Sequence, residues 1–81
     1  MELVVISPEG TRLTETVTCV TLPGSMGSFS VLKNHAPLIA TLEKGEVIYI
    51  VDKKVKSFEI EGGVVSVEKN VVKVLIEYLN L

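Results

Sequence analysis

Only two residues here, His35 and Cys19, combine scarcity with acid–base or nucleophilic chemistry: each is the single member of its type. His35 stands in Lys33-Asn34-His35-Ala36-Pro37. An imidazole there suits three roles. It can bond to loop backbone, with one ring nitrogen donating and the other accepting. It can contact a partner from the surface. It can serve as a general base, which needs a positioned acid and a substrate cleft, and nothing beside it in the sequence supplies either. Cys19 lies in the strand-like run Thr16-Val17-Thr18-Cys19-Val20-Thr21-Leu22, where a thiol is expected to be buried and inert. A lone cysteine excludes an intramolecular disulfide and favours a reducing compartment.

Other chemistries lack parts. A metal site needs three or four converging His, Cys, Asp or Glu ligands, and His35 and Cys19 fall in different elements. No metal and no cofactor is expected. A Ser-His-acid arrangement lacks both a strand–turn–helix nucleophile elbow and a helix to form an oxyanion site. Gly24-Ser25-Met26-Gly27-Ser28 has the glycines of a phosphate loop, but not the Gly-Lys-Ser/Thr ending or the helix that make such a loop hold phosphate. It reads as a turn. Asp52-Lys53-Lys54 reads as a solvated hairpin tip, with a charged contact to a partner as the alternative.

The elements that position these residues are short. The chain has 81 residues, 47% hydrophobic and 22% charged, which fits one small globular domain with a modest core. Val and Ile dominate the apolar set and favour sheet over helix. Strand-like runs appear at Leu3-Val4-Val5-Ile6, at Val17 to Leu22, at Ser28-Phe29-Ser30-Val31 and at Pro37 to Leu42. Further runs are Val47 to Val51, Val55 to Glu61 with Phe58 and Ile60 inward, Val64 to Val67, and Val71 to Ile76. Arg12 to Thr16 is polar enough for a sheet edge. Ser7-Pro8-Glu9-Gly10, Pro23-Gly24, Glu43-Lys44-Gly45-Glu46 and Glu68-Lys69-Asn70 punctuate the runs as turns. Gly62-Gly63 marks a bulge, a positive φ or a close approach of strands. The pattern predicts roughly eight to ten short strands in an all-β fold, a small antiparallel β-sandwich or flattened barrel.

A net charge of −2, no basic stripe and only two Tyr and two Phe give neither the electrostatic footprint nor the stacking platform of a nucleic-acid binder. The first residues lack a basic signal region. No stretch approaches the ~20 apolar residues that span a bilayer, so any membrane association is expected to come through a partner.

One stretch narrows the field. Read as Leu22-Pro23-Gly24-x-x-Gly27-x-Phe29-x-Val31-Leu32-x-x-His35-Ala36-Pro37-Leu38-x-x-x-Leu42-x-x-Gly45, it resembles the epsilon subunit of F-type ATP synthases. Ile6-Ser7-Pro8-Glu9-Gly10, Ile60 to Val67 and Val71 to Leu75 agree with that family in the same order. The resemblance implies a β-sandwich of about ten strands, placed at the foot of the rotor's central stalk between the gamma subunit and the membrane c-ring. His35 then corresponds to a docking residue on a loop facing the ring, with Ser28, Lys33 and Asn34 beside it. The gamma contact is expected on an apolar sheet face or edge that includes Ala40, Thr41 and Leu42.

Three departures from the family pattern stand out. Ser28 replaces a glutamate. Lys33-Asn34 replaces Pro-Gly, and Asn tolerates the left-handed conformation a Gly would supply. Leu75 to Leu81 stands where the family continues into a helical hairpin, so residues 1–81 are expected to be one β-sandwich domain without that hairpin. The implied function is a non-catalytic rotor subunit, peripheral on the cytoplasmic side of a bacterial inner or plasma membrane. A stand-alone sandwich that binds a peptide or ligand along an edge strand is the alternative.

Overall fold

In the computed structural model, which describes residues 1–76, burial alternates residue by residue along most strands. Leu3 and Val5 are buried while Val4 and Ile6 are half-exposed, the period-2 signature of a strand with one face on a core. Nine strands follow in chain order: β1 (Glu2–Ser7), β2 (Gly10–Thr16), β3 (Cys19–Leu22), β4 (Phe29–Leu32), β5 (Leu38–Leu42), β6 (Gly45–Val51), β7 (Lys54–Ile60), β8 (Gly63–Glu68) and β9 (Val71–Ile76). No helix occurs among the described residues. An isolated bridge between Gly24 and Leu42 adds one further pairing, close to the expected strand count.

Two sheets form, one of five strands in the order β2-β1-β9-β8-β5 and one of four in the order β4-β3-β6-β7. Both are open, which makes the fold a sandwich and removes the barrel alternative. Eight core side chains come from the five-stranded sheet, among them Leu3, Val65, Val67, Val72 and Val74; Val20, Leu22, Val31, Val47, Tyr49 and Ile60 face them from the other. Tyr49 and Phe58 meet edge to face, with ring centroids 5.9 Å apart, a favoured aromatic geometry.

One pairing departs from the expected antiparallel pattern: β1 runs parallel to β9. The cause is local. The β8–β9 turn at Lys69 and Asn70 starts β9 at the end of the sandwich where β1 begins, and the Glu2 N–H donates to the Asn70 carbonyl at 2.9 Å. Side-chain periodicity carries no information on strand direction. β2 is an edge strand, as its polarity implies, and Arg12 is the extra residue where the register shifts between Val5 and Ile6. A bulge and a charge at that position blunt the open edge.

The charged tip closes on Asp52 and Lys53 at φ 49° and 65°, the positive pair of a two-residue hairpin turn; Lys54 already belongs to β7. Cys19 departs from expectation. Val20 and Leu22 take the inward phase of β3, so Cys19 sits half-buried on the outer face, opposite Leu32 and Ile50. The tail Glu77-Tyr78-Leu79-Asn80-Leu81, on which the expected lack of a helical hairpin turned, lies outside the described residues.

Candidate functional site

β4 and β5 are consecutive in sequence but belong to different sheets, and each is an edge strand. Residues 33–37 carry the chain from one sheet to the other, and all five are exposed. Lys33 and Asn34 make the turn, with Asn34 at φ 65°. The left-handed conformation expected for it is therefore present. The His35 N–H donates to the Leu32 carbonyl at 3.1 Å. The His35 ring lies with Nδ1 2.7 Å from the Ala36 carbonyl. A carbonyl only accepts, so Nδ1 carries the proton in this bond.

A second loop closes the other end of the same side. The Ser25 N–H donates to the Thr41 carbonyl at 2.9 Å and the Glu43 N–H to the Pro23 carbonyl at 2.9 Å. The Thr41 hydroxyl donates to Ser25 Oγ at 3.0 Å. These bonds pin residues 23–25 along the end of β5 and leave Met26 at the tip, fully exposed at 101%. Between the two loops runs an open groove of about 640 Å³, lined by Met26, Phe29, Leu38 and Ile39 together with His35.

Of the residues singled out in the sequence, His35, Ala40 and Thr41 line this groove. Lys33 and Asn34 form the turn beside it, and Ser28 is exposed between Gly27 and Phe29, which both line it. Residues read as two separate contacts thus share one side of the molecule. Leu42 differs from its expected place at the surface: it is 5% exposed and packs in the core, because β5 points Leu42 inward and turns Ile39 and Thr41 out. Ile39, 79% exposed, and Met26 were missed. Their signal was present: an apolar residue between turn-forming neighbours, and one at the outward phase of an apolar strand.

The surroundings supply no bond chemistry. Among the described residues the His35 ring bonds a carbonyl rather than a carboxylate, and no group of three His, Cys, Asp or Glu residues converges. The apolar walls, with Met26 and Ile39 exposed on them, suit association instead, since large exposed apolar side chains mark interaction surfaces. The class is an all-β sandwich domain of two open sheets. No helix among the described residues is long and apolar enough to cross a membrane.

The chain belongs to the ATP synthase delta/epsilon family, whose sequence model, described as "ATP synthase, Delta/Epsilon chain, beta-sandwich domain", matches residues 1–79. The ATP synthase epsilon chain of Desulfitobacterium hafniense is 45% identical over 71 residues, covering 88% of this chain and 54% of that one. The epsilon chain of Leptospira borgpetersenii is 40% identical over 74 residues, covering 91% of this chain and 58% of that one. The chain therefore spans little more than half the length of these relatives. A structure of the Tetrahymena thermophila mitochondrial ATP synthase, described as central stalk and c-ring, contains a chain that superposes with a TM-score of 0.80 at 18% identity, over 96% of this chain and 63% of that one. At that identity the likeness concerns the fold.

Proposed function

We infer that this domain is a non-catalytic component of the rotor of an F-type ATP synthase, joining the gamma subunit to the c-ring so that ion-driven ring rotation reaches the catalytic head. The observation that carries this reading is the groove between β4 and β5, lined in part by His35 and with the apolar Met26 and Ile39 exposed along it, on a sandwich of the epsilon family. Burying Met26 and Ile39 against a partner is worth about 1.5–3 kcal/mol each. The relatives named ATP synthase epsilon chain support an ATP synthase setting for the domain.

The groove side, with Met26 and Ile39 beside the polar loop, is offered to the c-ring, and the outer face of the five-stranded sheet to gamma. Lys33, Asn34, His35 and Ser28 are polar, exposed residues, suited to the polar loops of the c-ring. With Ser28 in place of the family's glutamate, His35 Nε2 takes over as acceptor for a donor on the ring, and Lys33 suits an acidic ring loop. The gamma contact starts on β5 at Thr41, while Ala40 shares the inward phase of Leu42 and packs against the core. From Thr41 the register runs outward-facing through Val64 and Leu75 to Ile6, an apolar row across the five-stranded sheet. A core packed at the density of protein interiors transmits load between the two contacts with little deformation. In this reading the domain is peripheral on the cytoplasmic side of a bacterial inner or plasma membrane, held there by the assembly.

The test is co-expression with the gamma subunit of the same genome, followed by gel filtration. A one-to-one complex that survives His35→Ala but is weakened by Thr41→Lys is expected. Two folded proteins that elute separately would replace the rotor reading with the stand-alone binding module.

A further inference from the structure

The loop of residues 33–37 leaves one sheet and enters the other with little to hold it. His35 bonds backward to Leu32 and sideways to its own neighbour Ala36, and neither bond ties the loop to the body of the domain. The tie comes from the β8–β9 turn. Asn70 Oδ1 accepts the Asn34 N–H at 2.7 Å, and Asn70 Nδ2 donates to Asn34 Oδ1 at 3.1 Å. Asn70 is itself anchored: it is half-buried, sits at φ 62° in a tight turn, and its carbonyl accepts the Glu2 N–H. One side chain thus fastens the turn, through Asn34, next to the residue expected to dock.

We propose that Asn70, distant from His35 in sequence and outside the groove, is a positioning residue that holds the His35 loop in its docking geometry through the two bonds its carboxamide makes, to the Asn34 N–H and to Asn34 Oδ1. The inference rests on the docking reading above. A carboxamide fits this role because it accepts and donates at once, so it closes both bonds. A left-handed φ at both positions aims them at each other; Asn adopts that conformation at small cost. Asn34 also supplies more than a glycine at its position would: a glycine keeps the N–H that meets Asn70 Oδ1 but loses the second bond.

Three variants of the full chain separate the parts. Asn70→Gly keeps the positive φ and the backbone bond to Glu2 but removes the clasp. Asn70→Asp keeps an acceptor for the Asn34 N–H, and a flipped Asn34 carboxamide donates the second bond. His35→Ala reports on docking alone. Amide hydrogen exchange is read first, by NMR: Asn70→Gly is expected to speed exchange at the Asn34 N–H about tenfold, with protection in β3, β6 and β9 unchanged, and Asn70→Asp to restore it. Unchanged exchange at Asn34 in Asn70→Gly overturns the clasp. The variants are then assembled into the whole ATP synthase, and pumping of the coupling ion, proton or sodium, per ATP hydrolysed is measured. Loss of coupling in Asn70→Gly and His35→Ala, with rescue by Asn70→Asp, is the expected result. Loss in His35→Ala alone overturns the positioning role while docking stands. Full coupling in His35→Ala overturns the docking reading, and the positioning role with it.

Discussion

Replacing Gly63 by alanine should cost this domain far more stability than any surface substitution. Gly63 opens β8 in the middle of the five-stranded sheet, opposite Leu42 on one side and Ile76 on the other. A Cβ placed there would sit on the Leu75 carbonyl oxygen and 3.2 Å from both the Leu75 carbonyl carbon and Ile76 Cα. All three are backbone atoms of the neighbouring strand, so no rotamer change relieves the contact. Either β9 moves away from β8 or Gly63 leaves its conformation. Its φ of 158° lies at the edge of what any residue adopts, so the steric part dominates. Overpacking of this kind costs about 1–3 kcal/mol, and rigid partners place it at the upper end, near 3 kcal/mol. A domain of 81 residues has about 4–12 kcal/mol in total, and each kcal/mol lost lowers Tm by about 4–8 °C. A fall of about 12–24 °C is therefore expected for Gly63→Ala. The control is Gly10→Ala, whose φ of 124° is a left-handed turn conformation with no atom within 4 Å of the added Cβ. Only the backbone term remains there, about 1 kcal/mol. Urea unfolding followed by circular dichroism gives both values as midpoint changes at constant m. A loss in Gly63→Ala no larger than in Gly10→Ala would falsify the close-approach reasoning.

Other expectations concern the surface. His35→Ala should change stability by no more than about 0.5 kcal/mol, since the ring is exposed and bonds only its neighbour's carbonyl; a loss above about 1 kcal/mol would mark it as structural instead. Met26→Ser with Ile39→Ser should leave Tm unchanged yet weaken assembly with the c-ring by about a hundredfold or more, from the ~1.5 kcal/mol or more that burial of each apolar side chain supplies. Equal affinity in a pull-down with the isolated ring would remove the groove from the contact. Cys19, half-buried on an outer face, should react with a thiol reagent in the native state; reaction only after unfolding would show the thiol to be shielded.

Much of the fold was legible because it rests on local rules. Period-2 alternation located most strands, as in Phe58 and Ile60 facing inward. Turn chemistry located Asp52-Lys53 and the left-handed Asn34. Partner choice was not legible, because the β1–β9 parallel pairing depends on where a distant turn ends. The inward phase of β3 and β5 was also missed, at Cys19 and Leu42, since a short apolar run leaves its phase open until a neighbouring strand sets the register. The site was half legible. His35 stood out by scarcity and motif, whereas Asn70 carried no signal: its role exists only across the gap between two turns that the fold brings together.

That gap also accounts for how the loop departs from its family's pattern without losing shape. A glycine at position 34 would reach φ 65° without strain but leave the chain loosely held. Asn34 reaches the same φ at a small conformational cost, offset by the 3.1 Å bond from Asn70, which is worth about 1 kcal/mol net. Among the described residues, none of 33–37 belongs to the core cluster, so a change there is expected to leave the packed interior untouched. On the rotor reading proposed above, substitutions at Ser28, Lys33 and Asn34 would tune which ring the domain fits while the sandwich keeps its stiffness. Double substitution provides the check. If Asn34 and Asn70 act as one unit, Asn34→Gly with Asn70→Gly should lose no more stability than Asn70→Gly alone. Additive losses would mean that the two side chains work independently.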